Sequence, residues 1–127
     1  MQEPQLYEYA VIRLVPRVER EEFLNVGVVL YIASRKVLSV KFHLDARRLE
    51  AFSNTVNIAE IHQYLESFER ICKGGEGSGP IGALPLAQRF RWLTATRSTV
   101  VQLSKVHTGF CSDPEKTLSH LYAQFVS

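Results

Sequence analysis

The segment Glu22-Phe-Leu-Asn-Val-Gly-Val-Val-Leu-Tyr31 constrains the fold more than any other part of this chain. Alternation places one uninterrupted apolar row on a single face of a buried strand: Leu24, Val26, Val28, Leu30 and Ile32. The opposite row contains Asn25 and Gly27. Glycine inside a strand marks a bulge or a close backbone approach, and a half-buried asparagine needs hydrogen-bond partners. The two residues predict a place where another segment of the chain, or a ligand, packs tightly against the sheet.

Length and composition indicate an ordinary globular chain with one domain over residues 1–127. A net charge of +2 gives no general attraction for nucleic acid or for a membrane surface. The longest apolar run is about eight residues, far short of the ~20 that span a bilayer. The N-terminus lacks the basic and apolar regions of a signal peptide. Two cysteines without CxxC spacing predict free thiols and a cytoplasmic protein.

Strands open the chain, and helices dominate its middle and end. Alternating β-branched and aromatic residues predict strands over 6–15, 23–32, 37–44 and 99–106. Apolar residues at helical spacing predict helices over 45–52, 57–72, 86–93 and 114–125. Asp45, Asn57 and Asp113 are the expected N-caps. The predicted fold is α+β, a mainly antiparallel sheet of about four strands with helices packed on one face.

Two segments have functional interpretations that compete with simpler ones. The glycine-rich segment 74–82 has the composition of a phosphate cradle, but it follows a helix and lacks Gly-Lys-Ser/Thr, which favours a flexible linker. Arg89-Phe-Arg-Trp-Leu93 together with Arg97 is a candidate surface for single-stranded nucleic acid. The alternative is an amphipathic turn with its aromatics in the core and its arginines directed outward.

The densest group of metal-ligating residues is His107, Cys111 and Asp113. Structural zinc usually needs four ligands with paired close spacings, so no metal site and no cofactor are predicted. A Cys111–His107 nucleophile–base pair lacks an orienting third group. Cys72 lies on an apolar helical stripe and is predicted to be a core residue.

Arg13 is a charged residue on a strand whose second half is otherwise apolar, and Glu22 opens the next strand. If the two strands pair, both residues can approach each other and Asn25. One interpretation is a structural ion pair. The other is an arginine held rigid for an anionic ligand.

Several motifs resemble a known family. Tyr7-x-Tyr-Ala-Val-x-Arg13-x-x-Pro16 and Glu22-Phe-x-Asn-Val-Gly-Val28 are similar to the opening of a bacterial family of unknown function, DUF3037. Arg97-Ser-Thr99 and Val106-His-Thr-Gly109 continue the resemblance over essentially the whole chain. The family implies no activity or cofactor. The resemblance also implies that members are encoded near kinase-like proteins resembling HipA toxins, and so that a kinase-like neighbour is a possible protein partner. The resemblance makes six residues site candidates: Arg13, Glu22, Asn25, Gly27, Arg97 and His107.

Three functions follow as hypotheses. The first is a non-enzymatic binding or accessory protein that docks on a protein partner. The second is an enzyme or binding protein for an anionic, phosphate-bearing small molecule, with Arg13, Glu22, Asn25, Arg97 and His107 gathered in one cleft. Nucleic-acid binding is the third, and it predicts a contiguous patch of Arg89, Arg91 and Arg97.

Overall fold

A computed structural model describes residues 3–17, 20, 22–53, 56–95 and 99–126. The strands are β1 (Gln5–Leu14), β2 (Leu24–Ile32), β3 (Val37–Phe42), β4 (Val101–Leu103) and β5 (His107–Cys111). The helices are α1 (Ala46–Phe52), α2 (Ile58–Lys73), α3 (Gly79–Gly82), α4 (Leu86–Thr94) and α5 (Pro114–Phe125). A short 3-10 turn, Ala33–Arg35, joins β2 to β3. The predicted α+β class is confirmed.

All strand pairs in the described part of the chain are antiparallel, in the order β3-β2-β1, with β4 and β5 sharing the far edge of β1. β4 pairs with the end of β1, and β5 pairs with its beginning. The strand predicted over 99–106 therefore ends earlier, and β5 was not predicted. Pairing with β1 is interrupted between the two strands, and there the Ser104 hydroxyl accepts a hydrogen bond from the Val11 amide at 2.8 Å. This side chain replaces a backbone acceptor and lets one edge hold two strands.

The predicted N-caps are confirmed. The Asp45 carboxylate accepts hydrogen bonds from the amides of Arg47 and Arg48, and the Asn57 side chain accepts one from the Glu60 amide. Asp113 caps α5 in the same way. Each cap satisfies amides that the first helical turn leaves without a partner, so these boundaries follow from local chemistry.

A β-bulge interrupts the alternation of β2. Ile12 lies opposite Gly27 while Arg13 lies opposite Asn25, so Val26 is an extra residue in β2. An extra residue reverses which side chains face which way. Val26 consequently shares the larger core with Val29 and Tyr31. The other alternating set lies on the opposite face of the sheet and consists of Val28, Leu30 and Ile32. The prediction of one uninterrupted row from Leu24 to Ile32 was wrong for this reason.

Helices cover both faces of the sheet, which corrects the expectation that they pack on one. On one face α1, α2 and α4 enclose the larger core, which includes Leu65, Phe68 and Leu93. On the other face α5 packs on β2 and β3 and buries Leu121 against Val28 and Leu30. A central strand that is buried on both sides has a continuous run of apolar residues in its sequence. Residues 26–32 of β2 form such a run.

Candidate functional site

Arg13 and Asn25 are neighbours across β1 and β2, and the bulge at Val26 sets this register. On the other side of β1, Gln102 of β4 lies opposite Arg13 in the strand register. These polar residues therefore form a row across the sheet, on the face that α5 covers elsewhere. The sequence predicted that Arg13 and Asn25 approach each other if the strands pair, and the register brings them side by side.

The polar atoms of this pair are incompletely satisfied. The Asn25 Nδ2 atom donates to the carbonyl oxygen of Phe125, at the end of α5, at 3.1 Å. The Arg13 guanidinium lies over the Phe23 ring, with Cζ 4.1 Å from the ring centroid, in a cation–π contact. Arg13 Nε and Asn25 Oδ1 are buried and have no hydrogen-bond partner within the described ranges. Buried polar atoms without partners are uncommon in folded proteins, so this pair is a candidate binding element.

Gly27 serves the packing of the sheet. A Cβ atom there would lie 2.7 Å from the Lys41 carbonyl oxygen and 2.7 Å from Phe42 Cβ, both on β3. The tight contact that Gly27 predicted is therefore made by another segment of the same chain.

The remaining site candidates do not join Arg13. Glu22 forms an ion pair with Arg20 at 2.5 Å, and both side chains are largely exposed. His107 starts β5 and packs against its register partner Tyr9 with the two rings tilted and their centroids 5.4 Å apart. Tyr9 is four residues, or about 13 Å, along β1 from Arg13. Arg97 lies outside the described residues. The structure thus brings together Arg13 and Asn25, whereas Gly27 faces Ile12 and Phe42 in the core on the other side of the sheet. Glu22 is paired with Arg20, and His107 lies further along the sheet.

A cleft of about 240 Å³ lies next to Asn25, between α1, the start of β2 and the end of α5. Asn25, His43, Asp45, Arg48 and Tyr122 contribute its polar lining. Arg48 donates from Nη1 to the Val126 carbonyl oxygen at 2.9 Å, and Asp45 caps α1. Arg13 is not part of the lining. Arg48 thus ties α1 to the end of α5, and the Asp45 carboxylate is already used in capping α1.

The segment Arg89–Leu93 packs differently from both interpretations offered by the sequence, the nucleic-acid surface and the amphipathic turn. Phe90 and Leu93 are buried, but Trp92 is 37 % exposed. Arg89 turns inward and donates to the carbonyl oxygens of Leu84, Ile71 and Cys72. Arg89 is therefore used inside the fold, and the contiguous nucleic-acid patch loses one of its three arginines.

The cysteine and metal-ligand candidates show no assembled centre. Within the described ranges, no group of three or more His, Cys, Asp or Glu side chains is close enough to hold a metal ion. Burial raises the pKa of the Cys72 thiol to about 12, against a smaller lowering by Arg89, so this thiol stays protonated at neutral pH. Cys72 and Cys111 are both buried free thiols, and the prediction that Cys72 is a core residue is confirmed.

The outer edge of β5 carries the most exposed large apolar side chain of the described residues. Phe110 is 74 % exposed and lies opposite Leu6 of β1, which is 52 % exposed. Register partners share a face, and Leu6 shares its face with Ile12, so both extend the α2/α4 face beyond the helices. Sequence reasoning missed this surface because β5 was not predicted. The signal available was the β-prone composition of His107-Thr-Gly-Phe-Cys111.

Comparison with known proteins gives one match. The family model described as "Protein of unknown function (DUF3037)" matches residues 9–126. No curated protein and no solved structure matches the chain. Among the described helices, none is long and apolar enough to cross a membrane.

Proposed function

We propose that this chain, which belongs to the protein family of unknown function DUF3037, is a non-enzymatic binding protein that docks on a protein partner through β5. The observation that carries the proposal is the exposed pair of Phe110, on the edge strand β5, and its cross-strand neighbour Leu6 on β1. An exposed phenylalanine costs solubility, and contiguous exposed apolar groups typically mark interaction sites.

The chemistry of β5 favours an extended, apolar segment as its occupant. Edge strands are usually protected by charged residues or proline, and β5 contains no Asp, Glu, Lys, Arg or Pro. A partner strand added to this edge would complete backbone hydrogen bonds and cover Phe110 with its own side chains. Because β5 carries no carboxylate, ammonium or guanidinium group, an apolar strand without charged residues fits it best. A kinase-like protein is the partner class that the family resemblance implies.

The test is affinity purification of the tagged chain from its native host, with Phe110→Lys as the disrupting variant. Trp92→Lys is the matched control, since it places the same charge at another exposed aromatic position, on α4. We expect a stoichiometric partner with the wild type and with the control, and its loss with Phe110→Lys. Amide hydrogen exchange of the purified complex should then show new protection over β5.

Three results would overturn the proposal. The first is recovery of no stoichiometric partner. The second is a partner that Phe110→Lys binds as well as the wild type does, with protection located away from β5. The third is a homodimer in sedimentation velocity that Phe110→Lys dissociates, because a second copy of this chain would then be the occupant.

A further inference from the structure

Arg13 is a half-buried cation for which the described residues provide no counter-ion. The ion pairs formed within those residues are Arg20–Glu22 and His62–Glu66. Arg13 Nε is buried, and no described residue provides an acceptor for it. Removing a guanidinium from water is costly unless an anion or hydrogen-bond acceptors compensate, so the fold retains an unsatisfied preference for negative charge at this position.

The surroundings of Arg13 hold the side chain in place. Phe23 covers one face of the guanidinium plane at 4.1 Å, and Phe23 itself is 44 % exposed. On either side, Asn25 donates to the Phe125 carbonyl oxygen and Gln102 donates to the Thr99 carbonyl oxygen. Because both neighbours are tied to backbone groups, the arginine sits in a fixed frame and loses little side-chain freedom when it binds.

We propose that the Arg13 guanidinium, backed by Phe23, is a binding site for a small oxyanion, a carboxylate or a phosphate. A guanidinium presents parallel N–H groups whose geometry matches two oxygens of either group. The terminal amino groups would contact the anion, while Nε stays on the buried side next to Asn25. This site differs from the five-residue cleft expected from the sequence, because Glu22 and His107 have no part in it.

The oxyanion site is independent of the docking surface on β5. Leu6 and Arg13 are seven residues apart on β1, which is about 23 Å. They also lie on opposite faces of the sheet, because their positions differ by an odd number in a regular strand. Failure of one proposal therefore leaves the other untouched, and Phe110→Lys should bind anions as the wild type does.

The test is an NMR titration of the wild type, following the Nε–Hε resonances of the arginine side chains. Inorganic phosphate and acetate are the two probes, and sodium chloride at equal ionic strength is the control. We expect the Arg13 resonance to shift with saturation for phosphate, acetate or both, while exposed Arg91 shifts no more than it does in chloride. Saturation by one probe alone identifies that anion class.

Two variants strengthen the test. Arg13→Lys keeps the charge but loses the paired donors and should weaken binding by about tenfold. Arg91→Gln removes an exposed cation elsewhere and should leave binding unchanged. The proposal is overturned if the Arg13 resonance responds linearly and equally to all three salts. It is also overturned if Arg13 Nε–H proves to be bonded to Asn25 Oδ1 and insensitive to both probes. The wild-type titration decides the matter even if Arg13→Lys does not fold.

Discussion

Arg89 donates a hydrogen bond from Nη1 to the carbonyl oxygen of Ile71 at 2.9 Å, and this bond ties α4 to the last turn of α2. The same guanidinium also reaches the carbonyls of Cys72 and Leu84. The last carbonyls of a helix have no partner within the helix. A cation at this end also interacts favourably with the negative end of the helix dipole. One side chain thereby joins α2, α4 and the loop that precedes α4.

Replacing Arg89 with alanine should lower the free energy of unfolding by about 2–3 kcal/mol, because charged hydrogen bonds to three carbonyls are lost. Urea denaturation monitored by circular dichroism measures the change. Arg91→Ala, on the exposed side of the same helix, should change stability by no more than about 0.5 kcal/mol. Equal effects of the two variants would show that Arg89 makes no structural contribution of its own.

The two strand glycines should respond differently to alanine. In Gly27→Ala the new Cβ meets the Lys41 carbonyl and Phe42 Cβ of β3, which move only if the strands separate, so we expect a loss of about 2–3 kcal/mol. In Gly109→Ala the obstacle is the end of the Tyr7 ring, which can rotate, so we expect about 1 kcal/mol. Thermal unfolding of both variants compares them directly, and a larger loss for Gly109→Ala would contradict the packing described.

Ser104→Ala should weaken the junction of β4 and β5. The hydroxyl accepts a hydrogen bond from the Val11 amide at 2.8 Å, and alanine would leave that amide buried and without an acceptor. The expected cost is about 1–3 kcal/mol, accompanied by faster hydrogen exchange at the Val11 amide. Ser119→Ala, at an exposed position of α5, serves as the control. Unchanged exchange at Val11 in Ser104→Ala would mean that the hydroxyl is not its acceptor.

The Cys72 thiol should make stability fall at alkaline pH. Its pKa rises from 9.0 to about 12 on folding, so the unfolded chain releases the proton first. The contribution of the thiol to the free energy of unfolding is constant below pH 9. Stability then falls by up to about 1.4 kcal/mol per pH unit as the pH rises from 9 towards 12. Urea denaturation of the wild type and of Cys72→Ala at pH 8 and pH 10 measures this slope. If both proteins lose the same stability, Cys72 is not the cause.

Local chemistry made much of the fold predictable. Asp45, Asn57 and Asp113 begin helices because their side chains satisfy nearby amides, and that reach involves only residues three or fewer positions away. The α+β class followed from the two periodicities. The bulge at Val26 was not predictable from alternation. A single extra residue leaves the strand just as rich in apolar residues, but it moves the side chains beyond it to the opposite face of the sheet.

For the candidate site, the sequence identified Arg13 and Asn25 as unusual, because charge and amide groups stand out in strands rich in aliphatic residues. It grouped them with Glu22 and His107, but the structure pairs Glu22 with Arg20 and places His107 against Tyr9. Side-chain partners depend on register and rotamer, and neither is encoded in residue spacing. Phe23 shows the same limit, because its contact with Arg13 exists only after β1 and β2 have paired.

By itself, the sequence determined where α1, α2, α4 and α5 begin, that the three strands β1 to β3 precede them, and to which family the chain belongs. Each of these depends on neighbouring residues or on a pattern spread over the whole chain. Tertiary structure alone decided that α5 covers the second face, that Arg89 turns inward and that Phe110 stays exposed. Those outcomes depend on which surfaces meet. Apolar surface is buried only when the layers pack together, so a single segment of the sequence does not decide them.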